Sequence, residues 1–531
     1  MSTCFAPRRG RVSEEMLPMS VRKNHVNRDA EPMQETRWPH LRLLSPDGGW
    51  KILLRQMATI FFWVVLLLAL MDYGAVGAET IVVSVSFATL TLVLSLAVCG
   101  MPQYTRGAVT TACLIILGMA LVVYLQTTPH PSIIDPHPAW KTAKLFTASP
   151  MDAVTSLAPA DDRFALLAAT LPFLFFITGL VLFDTDERAL NALRMIALVG
   201  VVLAVLSLLQ FLLMPGTLLF DKKLFYKDSL TGMFVNRNTA ATFFGILLLT
   251  LVALTWRSLR RLDWTRVWIL TNSNMPLHID DYMRLKKSAF FVLGAGVIFV
   301  ALLLTQSRGG VGASFGGLLL LILLMALKDD MRPRTGPPTV RRQWLRRSLV
   351  ALVAIVVVLG AFGLFSGQVL LRAAILGGED GRFCVMPGIL ALIGDNMPRG
   401  IGLASFAQAY APYHNPECGI DAVLVKAHNV YLEGLATLGI AFIPLIAVPV
   451  VGLAGIFVRG ILKRKRYRFA GHLGLATLLL VLLHSVLDFS LQIPGFAMMF
   501  AVLLAPLVTI CLRPNATGTS GKTRRRPQPG P

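Results

Sequence analysis

The 531-residue sequence predicts an all-α integral membrane protein with about twelve transmembrane helices. Three observations carry that expectation. Hydrophobic residues make up 55% of the chain and charged residues only 15%, a balance foreign to soluble proteins of this length. The apolar residues come in blocks of about 18 to 22, the length a helix needs to cross about 30 Å of hydrocarbon. Finally, the basic residues between those blocks are distributed unevenly, as the positive-inside rule requires of a multi-pass protein.

Taken in chain order, residues 1–50 are polar, arginine-rich and free of apolar runs. They are expected to form a disordered basic cytoplasmic tail, with no cleavable signal peptide ahead of the first span. Spans are expected near 53–70, 79–99, 107–126, 164–184, 193–214, 238–256, 288–305, 310–327, 348–367, 429–456, 470–487 and 492–512. The first nine fill 51–367, a large outer loop occupies 368–427, the last three lie within 428–512, and 513–531 is a second basic cytoplasmic tail. Shorter polar excursions fall at 127–163, 257–287 and 328–347, and no internal repeat is visible.

A net charge of +21 invites a nucleic-acid partner, but the placement of the charge excludes one. With both termini on the cytoplasmic side, roughly three quarters of the 50 Lys and Arg fall on inner segments. Clusters such as Lys463-Arg464-Lys465-Arg466 then read as topology anchors against anionic headgroups of the bilayer. The six cysteines have no metal-ligand spacing. Cys99, Cys113 and Cys511 lie in or beside spans as small packing residues. Cys384 and Cys418 share the outer loop, where a disulfide and two free thiols are both open readings. His130, Asp135 and His137 share another outer loop but lack a fourth ligand, and Asp161-Asp162 reads as solvated loop. Gln210 and Asp488 are the polar residues nearest the middle of a span, and both read as packed and hydrogen-bonded.

The informative positions lie where loops meet helices on the outer side. Helix six enters after Asn236-Arg237-Asn238, helix seven leaves at Thr305-Gln306-Ser307-Arg308, and helix ten enters at His428-Asn429 with Glu433 close behind. The topology, fixed by charges elsewhere, puts Arg237, Arg308 and His428 on one membrane face. Ionisable residues at the mouth of a membrane helix are costly and usually functional. Asn236 and Asn238 have a plain alternative as helix caps, yet Arg237 in a first turn opposes the helix dipole, which suggests that an anion completes the site. Asn429 and Glu433 are four residues apart and share a helix face, with His428 offset.

Two guanidinium forks suit phosphate oxygens, and an imidazole titrating near neutrality can take a proton from an attacking hydroxyl. At interface depth the diphosphate would be carried by a lipid. The set therefore describes transfer from a lipid diphosphate to an acceptor alcohol, with no metal or other cofactor, since no Asp-x-Asp cluster occurs outside.

These same residues carry a family resemblance. Asn-Arg-Asn at 236–238, Thr-Gln-Ser-Arg-Gly-Gly at 305–310, Gly-Ile-Gly-Leu-Ala-Ser-Phe at 400–406 and His-Asn-Val-Tyr-Leu-Glu at 428–433 resemble the signature of the O-antigen ligase family. The likeness covers about 231–456. It implies a GT-C-like helical fold with a large periplasmic loop between helices 9 and 10. It also implies transfer of an undecaprenyl-diphosphate-linked glycan, without metal, to a lipid A-core or other glycan acceptor at the periplasmic face of a bacterial inner membrane. By the resemblance Arg237, Arg308 and Arg382 bind the diphosphate and His428 is the catalytic base. Glu433 would orient His428 or its helix, with Asn236, Asn238, Ser307 and Asn429 in support. The leading reading is a ligase in lipopolysaccharide biosynthesis. The alternative is an O-antigen or exopolysaccharide polymerase, followed by a protein O-oligosaccharyltransferase, and a lipid or glycan transporter is the competing class.

Overall fold

The computed structural model describes residues 49–129, 135–147, 152–262, 264–273, 275–327, 384–418 and 423–515. The expected span at 348–367, Arg382, His130 and most of both tails lie outside the described residues. The chain divides into two units, Met1–Leu53 and Leu54–Pro531. Of the first, only the opening turn of a helix is described.

Sixteen helices follow one another in the described residues. They are α1 (Gly49–Met71), α2 (Ala78–Cys99), α3 (Arg106–Thr127), α4 (Ala139–Phe146), α5 (Pro159–Leu182), α6 (Asp186–Leu213), α7 (Arg237–Leu259), α8 (Trp264–Asn272), α9 (Ile279–Leu304) and α10 (Arg308–Leu327). After the undescribed stretch come α11 (Met386–Asn396), α12 (Phe406–Tyr410), α13 (Val430–Leu438), α14 (Phe442–Lys463), α15 (Arg468–His484) and α16 (Pro494–Leu512). A two-strand hairpin, β1 (Thr217–Leu218) and β2 (Asp221–Lys222), interrupts the α6–α7 connection. Among the described residues eleven helical segments are long and apolar enough to cross a membrane, with α13 and α14 counted together as one span. They answer to eleven of the twelve expected positions.

Several helices outrun the apolar blocks that predicted them. α9 starts at Ile279 rather than near 288, and α5 starts at Pro159 rather than near 164. Hydropathy marks only the stretch inside hydrocarbon, whereas backbone hydrogen bonding continues into water wherever the ends are capped. His278 caps α9, and Asp280 and Asp281 in its first turn complement the helix dipole.

The expected span 429–456 is broken. Gly439 sits at φ +61 between α13 and α14, and a Cβ there would strike the carbonyl of Pro398, which accepts from Ile440 N at 2.9 Å. Only glycine permits both the left-handed turn and that approach.

α7 and α16 are buried along most of their length, while α1, α2, α3 and α14 leave much of their apolar surface open. This is the pattern of a bundle whose outer helices face lipid. α7 packs on α9, α10 and α15, and α16 on α5, α6 and α14. Gly310 allows the α7–α10 crossing, since a Cβ there would overlap the Ala241 side chain.

At one end of the bundle, Arg464 is buried and donates twice to Asp186 at 2.6 Å, while Arg55 and Arg188 share Asp184. Arg464 is therefore clamped to a helix rather than presented to headgroups as the sequence suggested. The buried charge is met by both Asp186 oxygens, by the Pro514 carbonyl and Asn515 Oδ1, and by the Tyr467 ring.

The described residues 384–418 and 423–427 form a small body on the opposite end. Val385, Ile389, Leu392, Ile401, Phe406 and Tyr410 form an apolar cluster of its own, completed by Ala436 of α13. Cys384 and Cys418 are disulfide-bonded, which resolves the open reading. Asp162, expected in a solvated loop, is instead fully buried in the first turn of α5. It accepts from Ala404 N at 2.7 Å and Ser405 Oγ at 3.4 Å, holding the 400–406 motif on the bundle. Gln126 of α3 adds bonds to the carbonyls of Arg399 and Thr437 at 2.8 and 2.9 Å.

Candidate functional site

The three seams meet at the end of the bundle that carries 384–427. Asn236 is the N-cap of α7, its side chain accepting from Asn238 N at 2.9 Å. Its amide also donates to Asp488 Oδ1 at 3.2 Å, and the Asn238 amide donates to the same oxygen at 3.0 Å. Asn238 Oδ1 in turn accepts from Ser307 Oγ at 2.8 Å, and Ser307 Oγ accepts from Gly310 N at 3.2 Å, capping the start of α10. A buried polar chain thus runs from Asp488 through both asparagines to the turn before Arg308. Every member has a partner, which is what makes such a chain stable out of water.

Arg237 and Arg308 flank this chain without entering it. Arg237, half-buried, donates to Ser229 Oγ at 3.3 Å and lies over the Tyr226 ring at 5.1 Å. Arg308 is exposed as the first residue of α10. Both begin helices with a cation where the dipole favours an anion, so two positive groups and two helix N-termini face the same end. The loop between α6 and α7 is tied to the α9–α10 turn by Leu230 N to Leu304 O at 2.8 Å and Gln306 Nε2 to Asp228 O at 2.9 Å.

His428 approaches from the third seam. Asn429 caps α13, accepting from Tyr431 N and Leu432 N at 3.0 and 3.1 Å, and Val430 N donates to Ser485 O at 2.9 Å. The His428 ring meets the edge of Phe489, next to Asp488, with centroids 5.0 Å apart. His428 holds φ +52, a left-handed conformation that an L residue adopts at a cost of about 1 kcal/mol.

Glu433 explains how that conformation is kept. Buried in α13, it accepts from Lys426 Nζ at 3.0 Å and Ala427 N at 2.8 Å. It grips the two residues before His428 rather than the imidazole itself. The expected shared face with Asn429 does not form: Asn429 is the N-cap, extended at φ −150, and its side chain reaches forward to the first N–H groups of α13, whereas Glu433 reaches back to the Ala427 N–H.

The turn joining α15 to α16 was not read as part of the site from sequence, although it touches every seam. Asp488 does not lie near the middle of a span. It sits in this turn, fully buried, and also accepts from Ser490 Oγ. Thr242 bonds both His484 Nδ1 and Ser490 Oγ, the latter at 3.1 Å. One signal was available in the sequence: Asp488 is the sole acidic residue between 469 and 512. Gln210, the other polar residue assigned to a span centre, lies in the last turn of α6 and bonds Leu219 O at 3.1 Å.

A second omission is Lys223. It is buried, donates to Ser229 O, and burial pushes its ammonium below the usual lysine range against a smaller opposing pull from Asp228. Among the described residues no group of three His, Cys, Asp or Glu could hold a metal ion.

Residues 290–447 match a family model described as O-antigen ligase. The matched stretch holds Arg308, His428 and Glu433, while Asn236, Arg237, Asn238 and Asp488 lie outside it. No curated protein matches the chain.

Proposed function

We propose that this multi-pass membrane protein, whose residues 290–447 match the O-antigen ligase family model, acts as a member of that family and transfers a glycan from undecaprenyl diphosphate to an acceptor hydroxyl at the periplasmic face of a bacterial inner membrane. Arg237 and Arg308 hold the diphosphate, with Arg382 from the large loop as a third contact. His428 takes the proton from the acceptor hydroxyl as its oxygen attacks the anomeric carbon. The carbon–oxygen bond to the carrier breaks, the departing diphosphate keeps the electron pair, and the two guanidinium groups offset its negative charge. Asn236, Asn238, Ser307 and Asn429 fix the helix starts from which these groups project, and Glu433 fixes the backbone ahead of His428.

One observation carries this reading. A single buried hydrogen-bonded chain, Asn236/Asn238–Asp488 with Asn238–Ser307, joins residues some 70 to 250 positions apart, and Phe489 beside it touches His428. Helix starts bearing two cations and an imidazole are thereby locked to one another, as a preorganised charge-stabilising site requires. The favoured acceptor is lipid A-core, which makes the protein a ligase. A polymerase extending one lipid-linked chain with another would use the same donor machinery.

The test is glycan transfer in membranes carrying Arg308→Ala or His428→Ala at normal abundance. Each substitution is expected to lower transfer at least about a hundredfold, matching the loss of a general base or a charge clamp. Retained transfer in either would sink the assignment. A gel of envelope glycans after gene deletion separates the two acceptors. Uncapped core with accumulated lipid-linked polymer indicates a ligase, and single repeats persisting on core indicate a polymerase.

A further inference from the structure

The connection between α6 and α7 presents an unusual surface. β1 and β2 pair Thr217 with Lys222 and Leu218 with Asp221, leaving Leu219 and Phe220 as a two-residue turn. The segment is well tethered. Lys223 N bonds Gly216 O at 2.8 Å, Gln210 Nε2 bonds Leu219 O at 3.1 Å, and Tyr73 Oη bonds Asp221 from the α1–α2 loop. Despite this order it holds large apolar side chains outward: Phe220 is 87% exposed, Leu224 78% and Phe225 63%.

Two bulky residues at left-handed φ bracket the exposed set, Leu219 at +50 and Tyr226 at +55. Such conformations disfavour branched and aromatic residues, and they cluster at ligand clamps and functional sites. The same segment continues directly into the candidate site. The Tyr226 ring underlies the Arg237 guanidinium, Lys223 donates to the Ser229 carbonyl, and Arg237 donates to the Ser229 hydroxyl. On its other side the hairpin follows Leu212, Leu213 and Met214 at the exposed end of α6. An apolar track therefore runs from a lipid-facing helix end to a cation.

That sequence of surfaces matches a molecule with a long apolar chain ending in a phosphate. A site serving only free phosphate would not need the exposed aromatics. A mere anchor in the interface would not need the tie to Arg237. We propose that the 217–226 hairpin guides the lipid chain of the diphosphate donor, with Phe220, Leu224 and Phe225 lying along isoprenoid units beyond its first two. This rests on the reading of Arg237 given above and adds a lipid-selecting element to it.

Binding of undecaprenyl diphosphate and of geranyl diphosphate to the detergent-solubilised full chain tests the idea. Both share the diphosphate and differ in the chain. The wild type should bind the long-chain compound more tightly. Phe220→Ser with Phe225→Ser should weaken long-chain binding at least about tenfold and leave geranyl diphosphate unchanged. Phe220→Leu with Phe225→Leu should restore most of the loss, since it keeps apolar contact. Equal loss for both compounds, no loss, or abolition of the difference by excess phosphatidylglycerol would overturn the proposal. A change of oligomeric state in the Ser variant without a change in binding would do so too, assigning the patch to a second copy of the chain. If Arg237→Gln leaves both affinities intact, the diphosphate reading itself fails. If Arg237→Gln abolishes both while the Ser variant binds normally, only the hairpin assignment falls.

Discussion

Glu433 offers a prediction whose size can be worked from the geometry. Its carboxylate is almost wholly buried and makes two contacts, Lys426 Nζ at 3.0 Å and the Ala427 N–H at 2.8 Å. Lys426 remains about a third exposed, so solvent screens the pair and its contribution is about 1 kcal/mol. The Ala427 N–H is buried, and leaving it unsatisfied costs about 1–3 kcal/mol. Glu433→Ala removes both contacts, for a total of about 2–4 kcal/mol. The strain held at His428, about 1 kcal/mol, is then free to relax into a different backbone. Glu433→Gln keeps an oxygen for the Ala427 N–H and loses only the ionic part. Glycan transfer should therefore fall about fivefold in Glu433→Gln and about 30- to 700-fold in Glu433→Ala, at about 1.4 kcal/mol per decade. The assay is transfer rate per mole of protein in purified membranes, with folded yield measured in parallel. If Glu433→Gln proves as damaged as Glu433→Ala, the carboxylate acts on protons rather than on the backbone, and the positional reasoning is wrong.

Three further outcomes follow from the same structure. Asp488→Ala strands the amides of Asn236 and Asn238 and the hydroxyl of Ser490 in a buried setting, so it should cost about 3 kcal/mol or more, read as a lowered melting temperature. Reduction of Cys384–Cys418, which spans 34 positions, should lower the stability of the 384–418 body by about 3–4 kcal/mol in hydrogen exchange while leaving the membrane helices protected. The Tyr413 hydroxyl, outside the bundle, is pushed up to about 12 by burial and by its bond to Asp395 at 2.8 Å. Because its folded value lies above the unfolded 10.0, its contribution is complete below pH 10 and is lost as pH rises toward 12. Phenolate absorbance and exchange of 384–418 should change together in that window, and Tyr413→Phe should remove the coupling.

The span pattern and the meeting of the 236–238, 305–310 and 428–433 seams at one end of the bundle were legible from one dimension. Hydrocarbon thickness fixes helix length, and the cost of moving basic residues across a bilayer fixes orientation. Asn236 was likewise readable as a cap, because capping is a local contest between a side chain and the first free N–H groups. Other features depended on distant neighbours. Asp488 resembled an ordinary polar residue in an apolar run until the α15–α16 turn brought it under two asparagines about 250 positions away. Asp162 resembled a solvated carboxylate until the 400–406 motif closed over it. Lys223 and the hairpin carried no periodic signal at all. Burial and pairing of a polar group are set by which segments happen to approach it, and only the folded chain decides that.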